Sequence, residues 1–323
     1  MKFFFSCDWG TSTFRLRLVD AENATVLSEI KTNHGIASAF ECWKKTNQHE
    51  KDRIAFYQIY LFEQVKKITA SSNHTFQNTP IILSGMASSS IGMLELPYKE
   101  LPFQCNGSDL IIHTIIPETE ENAPYKIIII SGVRSETDVI RGEETILTGC
   151  NIEKDDREQL FIFPGTHSKH IVVKNGTAQN ITTYMTGELF DLLSKKSILS
   201  ASVKKNDAED STNDQHFVAG VVKGASSNLM NSIFHVRTNQ LFKKATLQEN
   251  YDYLSGLLIG HELKDVAENK PDTLTLVCSE GLEKAYLLAL DVLGLSTHLD
   301  HKNADDALMN GQWKIMQQLG YLM

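Results

Sequence analysis

Two stretches of this chain repeat one pattern: strand, small-residue turn, strand, turn, strand. In the first, Phe3–Cys7 is apolar and β-prone, and Thr13–Val19 and Thr25–Ile30 alternate apolar with polar residues. In the second, strands Gln159–Phe163, Lys169–Val173 and Ala178–Tyr184 are separated by Pro164-Gly165-Thr166-His167 and by the hairpin Lys174-Asn175-Gly176. The repetition predicts two related α/β domains facing one another. A length of 323 residues leaves room for both, since one core rarely grows past ~250–300 residues.

Between and after the repeats the periods change. Asp52–Ala70 carries Ile54, Ile59, Leu61, Phe62, Val65 and Ile68 at helical spacing. Strands are expected at Pro80–Ser84, Leu110–Ile116 and Lys126–Ile130, the last with an IIII run suited to a strand covered on both faces. A short helix is expected over Arg141–Gly149, and longer ones over Gly187–Lys196, His216–Met230 and Asn250–Glu268. Strand Thr273–Cys278 and helices Ser279–Leu293 and Ala304–Leu319 complete the pattern. Lys204–Asp214 is charged, lacks large apolar residues and reads as a mobile surface loop.

A net charge of −9 argues against a nucleic-acid groove, which needs a basic excess. The apolar start is broken by Asp8, too soon for a signal-peptide core, and no segment approaches the ~20 apolar residues of a membrane span. Five scattered cysteines without a CxxC pair read as reduced thiols of a cytoplasmic protein.

Four segments carry candidate chemistry. Asp8-Trp9-Gly10-Thr11-Ser12-Thr13 puts a carboxylate at a strand end before a turn of glycine and hydroxyl residues. Such a turn can hold phosphate on its N–H and hydroxyl groups while Asp8 anchors Mg²⁺ through water. Alone, it is equally a solvated hairpin, and it is not a Walker A loop. Gly165-Thr166-His167 with Lys169 occupies the matching turn of the second repeat; a zinc role for His167 and His170 lacks a third ligand. In Arg141-Gly142-Glu143-Glu144 the carboxylates suit a helix start by themselves. The alternative makes Glu143 or Glu144 a general base and Arg141 a partner for a substrate carboxylate. Cys278-Ser279-Glu280-Gly281 is a strand-to-helix turn whose small residues allow close approach of a flat base.

Together these pieces resemble the actin/hexokinase/Hsp70-type ATPase fold, and more narrowly the 2-dehydro-3-deoxygalactonokinase family. CDWGTSTFRLRL (7–18), LSGMASSSIGMLELPY (83–98), RGEETILTG (141–149), FPGTHSKHI (163–171), TGELFDLL (186–193) and YLSGLLIGHE (253–262) carry the match, in the family's order. RGEE with PGTH-x-K and TGEL is the specific part.

The resemblance implies two facing ribonuclease-H-like domains with an interdomain cleft. These would be an N-terminal domain over 1–130, a C-terminal domain over 131–303, and a helix over 304–323 packing back on the first. It implies ATP and Mg²⁺ as cofactors and phosphorylation of 2-dehydro-3-deoxy-D-galactonate on its 6-hydroxyl. Asp8, Gly10, Thr11, Ser12 and Thr13 would serve phosphate and metal, and Gly165, Thr166, His167 and Lys169 the second phosphate hairpin. Ser88, Ser89 and Ser90, with Tyr98, would wall the sugar-acid pocket, and Arg141 would meet the carboxylate. Glu143 is the expected base, with Glu144 its alternative and Asp8 the third catalytic residue. Ser279 and Gly281 would border adenosine, although the family's turn is usually richer in glycine. Another sugar or sugar-acid kinase on this fold, or a non-catalytic sugar-acid sensor, are the competing readings. A homodimer is the base-rate expectation.

Overall fold

In the computed structural model, which describes residues 2–70, 76, 78–116, 125–152, 154–205 and 214–322, the first repeat forms an antiparallel meander. Its strands are β1 (Phe3–Trp9), β2 (Phe14–Asp20) and β3 (Thr25–Thr32). In register, Phe5 faces Leu18 and Asp8 faces Arg15. Helices α1 (Ile36–Lys45) and α2 (Arg53–Thr69) follow, then β4 (Ile81–Gly85), parallel to β1 with Asp8 beside Ser84 and Trp9 beside Gly85. Short β5 (Lys99–Glu100) and β6 (Phe103–Gln104) lead to β7 (Ile112–Ile115) and β8 (Ile127–Ile130). After them come β9 (Val133–Arg134), β10 (Val139–Ile140) and α3 (Glu143–Gly149). The main sheet runs β3-β2-β1-β4-β8-β7. The isoleucines of β8 are all buried, as a strand covered on both faces requires.

The second repeat rebuilds the same beginning from β11 (Gln159–Phe163) and β12 (Ser168–Lys174). Next are β13 (Thr177–Tyr184), α4 (Thr186–Lys196), α5 (Asp214–Ser226), α6 (Leu229–Ile233), α7 (His235–Leu241), α8 (Leu247–Glu262) and α9 (Lys264–Asn269). β14 (Thr273–Cys278) lies parallel to β11; α10 (Glu280–Val292) follows, and β15 (Leu299–Asn303) lies parallel to β14. α11 (Ala304–Gln318) ends the described chain's secondary structure. Two compact units result: unit 1 is Met1–Asp155, Asn175–Ile181 and Ala304–Met323, and unit 2 is Asp156–Lys174 and Thr182–Asn303. No helix among the described residues is long and apolar enough to cross a membrane.

Unit 1 centres on aromatic packing. Trp9 meets Phe14 edge-on at 5.0 Å and Tyr57 at 5.5 Å, with α2 supplying Tyr57, Leu61, Val65 and Ile68 to the buried core. α11 lies so close to α3 that a Cβ on Gly149 would strike the Ala307 carbonyl, and one on Gly311 the Thr145 carbonyl. In unit 2, α5 and α8 cross with the same backbone-to-backbone intimacy.

Several boundaries differ from the sequence expectation. The helix expected over Arg141–Gly149 starts at Glu143, because Gly142 has φ +113° and cannot begin a helical turn. His216–Met230 breaks after Ser226, where the Asn228 side chain caps α6 by accepting from Asn231 N at 3.3 Å. Asn250–Glu268 is two helices, and the first begins earlier, on a capping box between Thr246 and Glu249. α1, α7 and β15 were not anticipated from the pattern. Of the expected loop Lys204–Asp214, residues 206–213 lie outside the described residues.

The α3–α11 approach gives a direct test. Gly311→Val forces a branched side chain into the Thr145 backbone, and we expect a loss of about 1–3 kcal/mol. Urea unfolding should show a lower midpoint with an unchanged slope.

Candidate active site

The turn after β1 is closed by Gly10 N–H donating to Thr13 O at 2.9 Å, which leaves Thr11, Ser12 and Thr13 exposed. The start of α1 clamps it from behind: Ile36 N–H donates to Gly10 O at 2.9 Å and Ala37 N–H to Thr11 O at 3.1 Å. The Trp9 indole donates to His34 O at 3.1 Å, so the tryptophan of the motif is an anchor rather than a contact surface. α1 therefore braces the turn after β1. Its signal in the sequence is Ile36, Ala39, Phe40 and Trp43 at helical spacing.

Asp8 stands at the end of β1 with Gly85, at φ +82°, beside it; a Cβ on Gly85 would come 3.2 Å from Asp8 Oδ1. Burial pushes the Asp8 carboxyl up to about 6, against the pull of Arg15 and Arg17. Arg15 is itself paired with Asp305, and Arg17 with Glu29 at 2.6 Å. Gly142 packs on Gly85 across what a Cβ would make a 3.5 Å contact, which brings the start of α3 to the Asp8 end. The charges of Asp305 and, less strongly, Glu143 add to the upward push on Asp8.

The two glutamates of α3 have different surroundings. Glu144 is fully buried; its Oε2 accepts from Gly142 N–H at 2.7 Å and its Oε1 from the Thr145 hydroxyl at 3.0 Å. Burial, with the Glu143 charge second, raises its carboxyl to about 7. Glu143 is partly exposed and accepts from Arg141 N–H at 2.9 Å. The Arg141 guanidinium lies 4.3 Å from the Tyr98 ring centroid and donates to the Ser88 carbonyl and, at 2.6 Å, to Ser88 Oγ. Arg141, Tyr98 and Ser88 are thus one group. The Ser89 hydroxyl is spent on Met86 O at 2.7 Å within its own turn. Ser90 is exposed, and its carbonyl accepts from Arg53 at 2.9 Å.

Unit 2 contains a cavity of about 1240 Å³, above the ~300–1,000 Å³ of most small-molecule pockets. Gly165 and Thr166 form one part of its wall, Gly187 and Glu188 of α4 another, and Gly281 with Ala285 of α10 a third. α4 is tied to the turn by Glu188 N–H donating to Thr166 O at 2.9 Å, and Gly187 leaves no room for a Cβ against Gly165 O. Lys169 is buried rather than exposed, its ammonium donating to His167 O at 2.7 Å. His167 faces Glu188, and His170 faces Glu262 at 3.0 Å. Gly281 has open space around it, and Ser279 is exposed.

Among the described residues no three His, Cys, Asp or Glu side chains group to hold a metal. A hard cation bound with water and phosphate oxygens needs only one or two carboxylates. Asp8, at the end of β1 and ionised above about pH 6, fits that role.

Each unit sets parallel strands beside an antiparallel pair, an α/β framework, and the chain is a kinase. The chain belongs to the 2-keto-3-deoxy-galactonokinase family, whose model matches residues 8–315. A Rhizobium meliloti (strain 1021) protein named a probable 2-dehydro-3-deoxygalactonokinase is 30% identical over 316 residues, 96% of this chain and 95% of that one. The 2-dehydro-3-deoxygalactonokinase of Escherichia coli (strain K12) is 29% identical over 227 residues, 68% of this chain and 72% of its own. A solved crystal structure from Sinorhizobium meliloti, of a protein given the same enzyme name by assignment, superposes with a TM-score of 0.80. It is 28% identical and covers 97% of this chain and 96% of its own.

The buried Glu144 sets a pH dependence of stability. Its folded value of about 7 exceeds the ordinary 4.5, so the folded state holds the extra proton between those values. Stability from this group is full below the lower value and falls as pH rises to the upper one, by on the order of 3 kcal/mol. Urea unfolding at about pH 5 and about pH 7.5 should show wild type weaker at the higher pH, and Glu144→Gln should flatten that slope.

Proposed function

We propose that the protein transfers the γ-phosphoryl group of ATP to the terminal 6-hydroxyl of 2-dehydro-3-deoxy-D-galactonate, in the cytoplasmic breakdown of galactonate. The observation that carries the site assignment is the convergence in unit 1. Gly85 and Gly142 bring Asp8 and Glu143 together, while Arg141 is held beside them by Ser88 and Tyr98.

Phosphoryl transfer asks little covalent chemistry of the protein; positioning and charge neutralisation do most of the work. Arg141 offers its guanidinium to the sugar acid's carboxylate, and its stacking on Tyr98 fixes the plane of that fork. Ser88, fully buried, holds the Arg141 guanidinium through its carbonyl and hydroxyl. Glu143 accepts the proton of the attacking hydroxyl; it is the glutamate with access to solvent, whereas Glu144 is consumed in closing the helix start. Asp8 is the residue that would hold Mg²⁺, which when bound offsets charge on the phosphates. Thr11, Ser12 and Thr13 present exposed hydroxyls at the first phosphate turn. Gly165, Thr166 and the N-terminus of α4 supply N–H groups at the second. His167 and Lys169 brace that second turn, and Gly281 and Ser279 border the adenosine end.

A coupled ADP-release assay with Mg²⁺-ATP tests the reading, using 2-dehydro-3-deoxygalactonate, its gluconate epimer and simple hexoses. Turnover on the galactonate compound is expected, and none on any sugar acid would overturn it. Glu143→Gln should lower kcat by about 10²–10⁴-fold with ATP affinity unchanged. Arg141→Ala should act instead on the KM for the sugar acid, by about tenfold or more, as loss of a charge-assisted hydrogen bond implies.

A further inference from the structure

One buried carboxylate in unit 2 is left without a role by this mechanism. Glu262, the last residue of α8, is 2% exposed, yet both its oxygens are fully engaged. Oε1 accepts from the Ser168 hydroxyl at 2.6 Å and from His170 Nε2–H at 3.0 Å; Oε2 accepts from the Tyr286 hydroxyl at 2.7 Å and from the Thr186 hydroxyl. Burial alone would raise this carboxyl. The hydrogen bond and charge of His170, with the Ser168 and Thr186 hydroxyls, outweigh it and hold the group below its ordinary range.

The donors come from three different elements. Ser168 and His170 open β12, the strand that leaves the Gly165-Thr166 turn. Thr186 is the first residue of α4, whose Gly187 and Glu188 abut that turn. Tyr286 lies on α10, the helix that carries Gly281 and Ala285. Thr186 and Tyr286 also line the 1240 Å³ cavity, whereas Ser168, His170 and Glu262 lie outside its lining. A single anion therefore ties the phosphate end of the cavity wall to its adenosine end. Four donors on one carboxylate satisfy it only while it stays ionised and correctly placed, so the network specifies one arrangement of the three elements.

We infer that Glu262 is a positioning residue for the nucleotide, setting the span between the second phosphate turn and α10. This rests on the reading of the cavity as the ATP site. The hydroxyls of Ser168 and Tyr286 can each be deleted as one atom, and Ser168→Ala is the sharper case because Ser168 does not line the cavity. The probe is MgADP titrated by calorimetry into the purified full chain, alongside steady-state KM values for ATP and for the sugar acid.

Glu262→Gln should weaken MgADP binding about tenfold, the lower end of what outer-shell partners are worth at metal sites. KM for ATP should rise to match, with KM for the sugar acid unchanged. Ser168→Ala and Tyr286→Phe should move the same two quantities in the same direction. Their double variant should lose less than the two singles combined, since both act through one carboxylate. If Glu262→Gln does not fold, the two hydroxyl deletions decide the matter. Normal MgADP binding by folded Ser168→Ala and Tyr286→Phe overturns the inference, even if their melting temperatures fall. A wild-type chain that binds no MgADP overturns the nucleotide reading itself, and the inference with it.

Discussion

The glycine apposition of β1, β4 and α3 in unit 1 is what the rest of its chemistry depends on. Asp8 ends a buried strand, and an ordinary side chain at position 85 would press on its carboxylate. Glycine at 85 and at 142, both at positive φ, removes two Cβ atoms and lets the ends of β1 and β4 meet the start of α3. A second apposition, Gly149 and Gly311 against the facing backbones of α11 and α3, fixes the depth of that helix. Neither contact involves a reacting atom. Together they determine where Glu143 stands relative to Asp8.

The same two carboxylates of α3 illustrate how position divides labour. Glu143 and Glu144 are neighbours of identical chemistry, separated by one step of about 100° around the helix. That step puts Glu144 in the interior, where it caps Gly142 N–H and is driven up to about 7 by burial. Glu143 stays partly open and shares its surroundings with Arg141. In unit 2 the balance is reversed. Glu262 is as buried as Glu144 but meets four donors, and its carboxyl is held down instead of pushed up. Burial by itself does not settle the charge of a carboxyl; the donors around it do.

Much of the strand framework was legible in the residue pattern, because the meanders alternate cleanly and the isoleucine run of β8 suits a strand covered on both faces. The turns were legible too, through their glycines and hydroxyls. Elements held by tertiary pairing were not. β15, LDHKN, has no apolar alternation and is a strand because it pairs with β14. α1 buries only Ile36, Ala39 and Trp43. Arg141 could be singled out from residue type as a partner for a carboxylate, but its hold on Ser88 and Tyr98, and the different fates of Ser88, Ser89 and Ser90, could not. Three identical side chains in a row are distinguished only by the backbone of the turn. Glu262 was the least visible: one charge after an apolar stretch reads as a helix end, and its four donors are scattered through the sequence from position 168 to 286.

The central claim is phosphoryl transfer from ATP to the terminal hydroxyl of a keto-deoxy sugar acid. Phosphorus NMR of the reaction mixture tests it most directly. The account predicts a new phosphate-ester signal coupled to the two protons of the terminal carbon, growing as ATP is consumed. ATP consumed with only ADP and inorganic phosphate appearing, or an ester coupled to a secondary carbon's proton, would contradict it.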